Sequence, residues 1–264
     1  MKPTITLIPL REVVTSDAYT QLDLIVRIES PQPQEILKRS KLNLGLVIDR
    51  SGSMQGQKMD YARKAAIYAV EQLKESDRVS ITIYDNQVEV IVPNTLATNK
   101  TQIIEKIKHI HSRGSTNLYE GWLEGGKQVS QKYNNEQLNR VILLSDGLAN
   151  DGETNPDVIC THVHGLMQHG VSTSTMGIGD DFNEDLMEAM AKSGDGNYYY
   201  IESPDSLPTI FQAELQGIIA TIGSKVSLGI EPSRNIEVLD VFNDLSKTRY
   251  GRYKLPNLIM GNQI

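Results

Sequence analysis

The sequence predicts an α/β protein: a doubly wound, mainly parallel sheet with a flanking β-rich module built from both ends of the chain. Three observations predict it. LNLGLVI (42–48) and RVILLSD (140–146) are nearly continuous apolar runs, as strands covered on both faces must be. Segments of helical periodicity alternate with such runs through the middle of the chain. The two ends instead alternate apolar and polar residues, the mark of half-buried strands.

At the N-terminus, TITLIPLREVV and QLDLIVRIE read as two strands joined by TSDAY, and PQPQE, with two prolines in four residues, reads as a linker or edge. From Lys41 the texture changes. Met59, Ala62, Ala66, Ala69, Val70 and Leu73 mark an amphipathic helix over 58–73. RVSITIYD and VEVIVP form a hairpin about Asn86-Gln87, with VEVIVP antiparallel at an edge. Helices are expected over 101–110 and 118–133. A helix over 157–168 stops at Gly170, the strand VSTSTMGIG follows, and Asn183 caps a short helix reaching Lys192. The strand NYYYIES and a helix over 207–222 close the series. The order β-α-β-β-α-α-β-α-β-α-β-α is that of a doubly wound sheet. KVSLGIEP, NIEVLDVF and YKLPNLIM then read as further strands. The expected organisation is 1–40 and 223–264 as strands of one β module, around an α/β domain at 41–222. The chain stops soon after a strand-like run, so a cut within a longer parent is expected.

With 264 residues, 39% apolar and 22% charged, the chain is long enough for one large core. A net charge of −7 supports no nucleic-acid partner. No stretch approaches the roughly 18 apolar residues of a membrane span. The single cysteine, Cys160, allows no internal disulfide, and the N-terminus does not read as a signal peptide, so a cytoplasmic location is expected.

The chemistry gathers where strands end. In open parallel sheets ligands bind beyond the carboxyl ends of the strands. Asp49 ends one buried strand and Asp146 the other. Ser51 and Ser53 follow Asp49 in the stretch LVIDRSGSM, and Thr116 precedes a helix in GSTNLYEGW. Taken singly, the serines could merely cap a helix and Asp146-Gly147 could be a turn. Together, D-x-S-x-S, a later threonine and a later aspartate resemble the von Willebrand factor A domain and its metal-ion-dependent adhesion site, over roughly residues 42–222.

The resemblance implies a Rossmann-like fold and a divalent ion. Ser51 and Ser53 would bind the ion directly, Thr116 directly or through water, and Asp49 and Asp146 through waters. Hydroxyl and carboxylate oxygens are hard donors, so Mg²⁺, or alternatively Mn²⁺ or Ca²⁺, is expected rather than zinc or copper. With two carboxylates largely one water removed, the ion stays electrophilic and can accept an Asp or Glu carboxylate from a protein partner. The expected function is therefore non-enzymatic, metal-dependent protein binding. The alternatives are a scaffold subunit of an ATPase or other multiprotein machine and, further off, a metal-dependent hydrolase. Arg50 is expected to point outward beside the ion, steering an acidic ligand or pairing with a neighbouring acid.

Other patterns fail. Gly52 to Lys58 has the wrong spacing for a phosphate loop and no Ser/Thr after the lysine. Asp49-Arg50-Ser51 lacks the second aspartate of haloacid-dehalogenase phosphatases. His109, His111, His162, His164 and His169 make no zinc pattern. Asp180, Asp181, Glu184 and Asp195 read as a solvated acidic rim with a possible second cation. Tyr198 and Tyr200 are expected on one face of their strand, toward the core, with Tyr199 on the other.

Overall fold

The computed structural model of the chain describes residues 3–11, 18–30, 41–179, 182–223, 226–243, 245–256 and 258–259, with backbone alone at residue 204, over 216–223 and at residue 259. The chain divides into two compact units, one of residues 40–215 and one of residues 1–39 together with 216–264.

Strands β1 (Thr4–Pro9) and β2 (Leu24–Glu29) pair antiparallel, Thr4 opposite Glu29 and Pro9 opposite Leu24. Then come β3 (Leu42–Asp49), a short 3-10 turn at Gly52–Met54, α1 (Gln57–Gln72), β4 (Arg78–Tyr84) and β5 (Val88–Leu96). They are followed by α2 (Lys100–Lys108), α3 (Leu118–Ser130), β6 (Leu138–Ser145) and α4 (Pro156–Gln168). Next are β7 (Val171–Ile178), α5 (Glu184–Ser193), β8 (Tyr198–Ile201) and α6 (Leu207–Ala220).

Within the unit of residues 40–215 the strands form a six-stranded sheet in the order β5-β4-β3-β6-β7-β8. All neighbours are parallel except β4 and β5, so the expected antiparallel edge is present. Every residue of β3 is buried, which its continuous apolar run requires of a central strand. The sheet grows from β3 toward β4 on one side and from β6 toward β7 on the other. The switch point thus lies between β3 and β6, at the carboxyl ends that deliver Asp49 and Ser145.

The helices start and stop where local chemistry dictates. The Asn183 side chain accepts from the Leu186 N–H at 3.2 Å and caps α5. Gly170, at φ +90°, ends the turn after α4, a conformation that a Cβ would strain. Helix α3 lies close on the sheet because of its glycines. A Cβ on Gly125 would sit 2.1 Å from Val47 Cγ2, and one on Gly121 would sit 2.4 Å from the Tyr84 ring. Gly125→Ala is therefore expected to destabilise the chain by about 1–3 kcal/mol through overpacking, despite the roughly 1 kcal/mol gain in helix propensity. Urea unfolding checks this, and adding Val47→Ala should recover part of the loss.

Two expectations are corrected. Tyr198 and Tyr200 do share a face, but Tyr200 is 36% exposed. β8 is an edge strand, and that face is covered by Phe182, whose ring centroid lies 6.2 Å from Tyr198 and 5.2 Å from Tyr200. Tyr199, on the other face, donates to Glu214 Oε2 at 3.1 Å. The segment NIEVLDVF is not a strand. Among the described residues it has no ladder partner, it begins at Asn235 with φ +71°, and Phe242 is 83% exposed.

The remaining strands in the second unit are short: β9 (Thr221–Gly223), β10 (Ser227–Leu228), β11 (Tyr253–Lys254) and β12 (Leu258–Ile259). β10 pairs with β11 and β12 with β9, both antiparallel. Among the described residues, no ladder joins either ribbon to β1 and β2.

Candidate metal centre

Asp49 is the last residue of β3 and fully buried, opposite Tyr84 in the parallel register with β4. Three donors fix its carboxylate. Oδ1 accepts the Ser51 N–H at 2.8 Å, and Oδ2 accepts the Ser145 hydroxyl at 2.5 Å and the Tyr84 hydroxyl at 3.1 Å. Ser51 is buried, Ser53 lies on the exposed side of the 3-10 turn, and their hydroxyl oxygens are 3.0 Å apart. Met54, fully buried, anchors that turn from below.

Thr116 belongs to a segment stitched to both other loops. The Gly52 N–H donates to Gly114 O at 3.0 Å, and the Arg113 N–H to Arg50 O at 2.7 Å. On the other side, the Thr116 N–H donates to Asn150 Oδ1 at 2.9 Å, and the Asn150 and Asp151 N–H groups return to Thr116 O, each at 3.2 Å. The loop after β3, the residues before α3 and the loop after β6 therefore meet above the switch point, with Thr116 and Asp146 both buried.

Arg50 does not point outward. It is 7% exposed, with Nε 2.9 Å from Asp85 Oδ2 and Nη1 3.4 Å from Glu89 Oε2. Asp85 also accepts from Arg113 Nε at 2.7 Å, and its backbone carbonyl accepts the Asn117 N–H at 2.9 Å. Of the two roles expected for Arg50, pairing with an acid is the one found. Asp85 pins the serine loop and the threonine segment to the β4–β5 hairpin.

Electrostatics sharpen the arrangement. Burial pushes the Asp49 carboxyl up from its ordinary 3.8 to about 6, against the hydrogen bonds from Ser145 and Ser51, and the Asp146 charge adds to the rise. Burial, then the Asp49 charge, drives the Tyr84 hydroxyl well above its ordinary 10.0, so it remains a donor. Lys58, on the first turn of α1, places Nζ 3.4 Å from Asp146 Oδ2.

Tyr84, Ser145, Asp85 and Lys58 are thus parts of the site that the motif does not name. All four are missed from sequence; the acid Asp85 after SITIY and the hydroxyl of Ser145 before Asp146, each at a strand's end, are the signals that could have marked two of them. Of the acidic rim, Asp180 and Asp181 lie outside the described residues; among those described no three His, Cys, Asp or Glu residues are grouped to hold a metal. Among the described residues no helix is long and apolar enough to cross a membrane.

The donor set suits a hard dication. Three hydroxyls and two carboxylates are all hard oxygen donors, the type that Mg²⁺, Mn²⁺ and Ca²⁺ take. The Ser51 and Ser53 hydroxyls hydrogen-bond to each other at 3.0 Å, which keeps both oxygens on one side of the turn beside Asp49.

Comparison with known proteins agrees with the topology. The chain is 28% identical over 204 residues to the uncharacterized protein sll0103 of Synechocystis sp., covering 76% of this chain and 48% of that one. The solved von Willebrand factor type A protein from Catenulispora acidiphila superposes with a TM-score of 0.64 at 19% identity, over 78% of this chain and 47% of that one. Proximal thread matrix protein 1 from the mussel byssus, solved with a zinc-occupied MIDAS motif, gives a TM-score of 0.58 at 17% identity, over 75% of this chain and 50% of that one. The chain thus spans about half the length of each of these proteins. The family model for the von Willebrand factor type A domain matches residues 43–213, and the chain belongs to that family.

Proposed function

We propose that Asp49, Ser51, Ser53, Thr116 and Asp146 hold one divalent cation, Mg²⁺ in the first place, with Mn²⁺ or Ca²⁺ as alternatives, and that a protein partner binds there through an Asp or Glu carboxylate. The observation that carries this reading is the pair of hydroxyls on Ser51 and Ser53, 3.0 Å apart beside a carboxylate that three donors hold in place. The two hydroxyls hydrogen-bond to each other at that distance and are hard oxygen donors, the type that Mg²⁺, Mn²⁺ and Ca²⁺ take. The ion would supply a Lewis-acid position for a carboxylate oxygen. The chain's own part is orientation: Tyr84 and Ser145 hold Asp49, and Asn150 and Asp151 hold the Thr116 backbone. Use as an adhesion or interaction module, rather than as an enzyme, accords with membership of the von Willebrand factor type A family. The domain so used is residues 41–222, with 1–40 and 223–264 as its flanking β module.

The test is an affinity capture from the native host's extract in Mg²⁺, with EDTA elution, comparing the chain with its Asp49→Ala and Thr116→Ala variants. A partner released by EDTA and missing from both variants is expected. Identical partner sets with all three baits would sink the reading. Zinc belongs among the ions tried, because the byssus neighbour holds it in the corresponding motif.

A further inference from the structure

Lys58 is aimed at the metal centre by three separate features. It lies on the first turn of α1, five residues after Ser53, where Gly56 at φ +79° turns the chain into the helix. Its stem crosses Gly179 just past the end of β7, where a Cβ would come 2.4 Å from Lys58 Cε. Its ammonium ends 3.4 Å from Asp146 Oδ2, on a side chain 18% exposed. A mostly buried ammonium beside a carboxylate of a dication site is costly to install and does not help a cation bind.

The geometry points to Lys58 as the residue that makes ion and acidic partner depend on each other, an inference that rests on the proposed metal centre. Without a partner, the ammonium neutralises Asp146 and repels the incoming dication, so the ion is held weakly. A partner's carboxylate brings the missing negative charge, with one oxygen for the ion and the other within reach of the ammonium. Each then strengthens the other, and by linkage the coupling is the same in both directions. The partner class that fits is an exposed Asp or Glu side chain, in preference to a neutral amide or hydroxyl.

The alternative role for Lys58 is structural support of Asp146, and it predicts the opposite sign. Lys58→Met keeps an unbranched stem over Gly179 and removes the charge. Mn²⁺ titration of the chain alone, followed by the electron paramagnetic resonance signal of free Mn²⁺, reads the affinity. Acetate is then added as the carboxylate probe. The expected result is that Lys58→Met binds Mn²⁺ about tenfold more tightly than the wild type, and that acetate raises Mn²⁺ affinity in the wild type but little in the variant. Lys58→Arg, which keeps the charge, should behave like the wild type and guards against a folding artefact in the methionine variant. Unchanged or weaker Mn²⁺ binding in Lys58→Met, with a wild-type unfolding curve, overturns the inference. A wild-type chain that binds no Mn²⁺ with or without acetate contradicts the metal centre itself, a distinguishable failure.

Discussion

Asp49→Asn is expected to stabilise the metal-free chain at pH 8 by about 3 kcal/mol while eliminating divalent-ion binding. A core substitution at a fully buried residue normally destabilises, so the sign is diagnostic. The reason is that burial makes the Asp49 charge costly to the fold, as the proposed role of holding an ion implies. Its folded-state pKa, about 6, lies above the ordinary 3.8. Between those values the folded chain keeps a proton that the unfolded chain has released. The stability this group contributes is complete below pH 3.8 and is lost as the pH rises through 6. An asparagine stays neutral throughout. Its side-chain oxygen can still accept from Ser51, and the hydroxyls of Tyr84 and Ser145 can turn to accept from its amide. Urea unfolding in EDTA checks this: wild type and variant should match near pH 4 and separate by pH 8. A variant less stable than the wild type at pH 8 would contradict it.

Glu214→Ala is expected to cost about 3–5 kcal/mol, because it strands a buried polar network. Glu214 lies on α6 with no exposed surface. Its Oε1 accepts from Ser174 at 2.6 Å and from Arg140 Nη1 at 3.3 Å, and its Oε2 accepts from Asn197 at 2.7 Å and Tyr199 at 3.1 Å. These partners come from β6, β7, the turn before β8 and β8 itself, so one carboxylate ties the first half of α6 to three strands. Glu214→Gln keeps two acceptor positions on one oxygen and should cost less. Denaturant midpoints measure both, and a loss under about 1 kcal/mol for the alanine would show that the network is not structural.

What the sequence makes legible here follows from where the information resides. The buried run of LNLGLVI announces a central strand, and the edge position of VEVIVP follows from its hairpin. Asp49, Ser51, Ser53, Thr116 and Asp146 stand out because their types and order carry the pattern, however far apart they lie. Tyr84 does not stand out, because an aromatic at a strand's end is ordinary. Its hydroxyl reaches Asp49 through the β3–β4 register, which pairs the two residues and which no local pattern reveals. Arg50 reads as exposed because it sits in a polar loop, yet Asp85 and Glu89 draw it inward from another hairpin. Glu214 is a single acid within LPTIFQAELQGIIA, a local conflict that could have flagged a buried role. NIEVLDVF alternates as a strand should, but alternation is no substitute for a partner strand, and none pairs with it among the described residues.

The proposed centre places five side chains from three loops around one divalent ion. Counting ions bound per chain tests it most directly, by titrating Mn²⁺ against the wild type and the Ser51→Ala, Thr116→Ala double variant. One saturable site per wild-type chain is expected, displaced by excess Mg²⁺ and absent from the variant, with both proteins unfolding at similar urea concentrations. Binding that survives unchanged in the variant, or no binding in the wild type with acetate present, would contradict it.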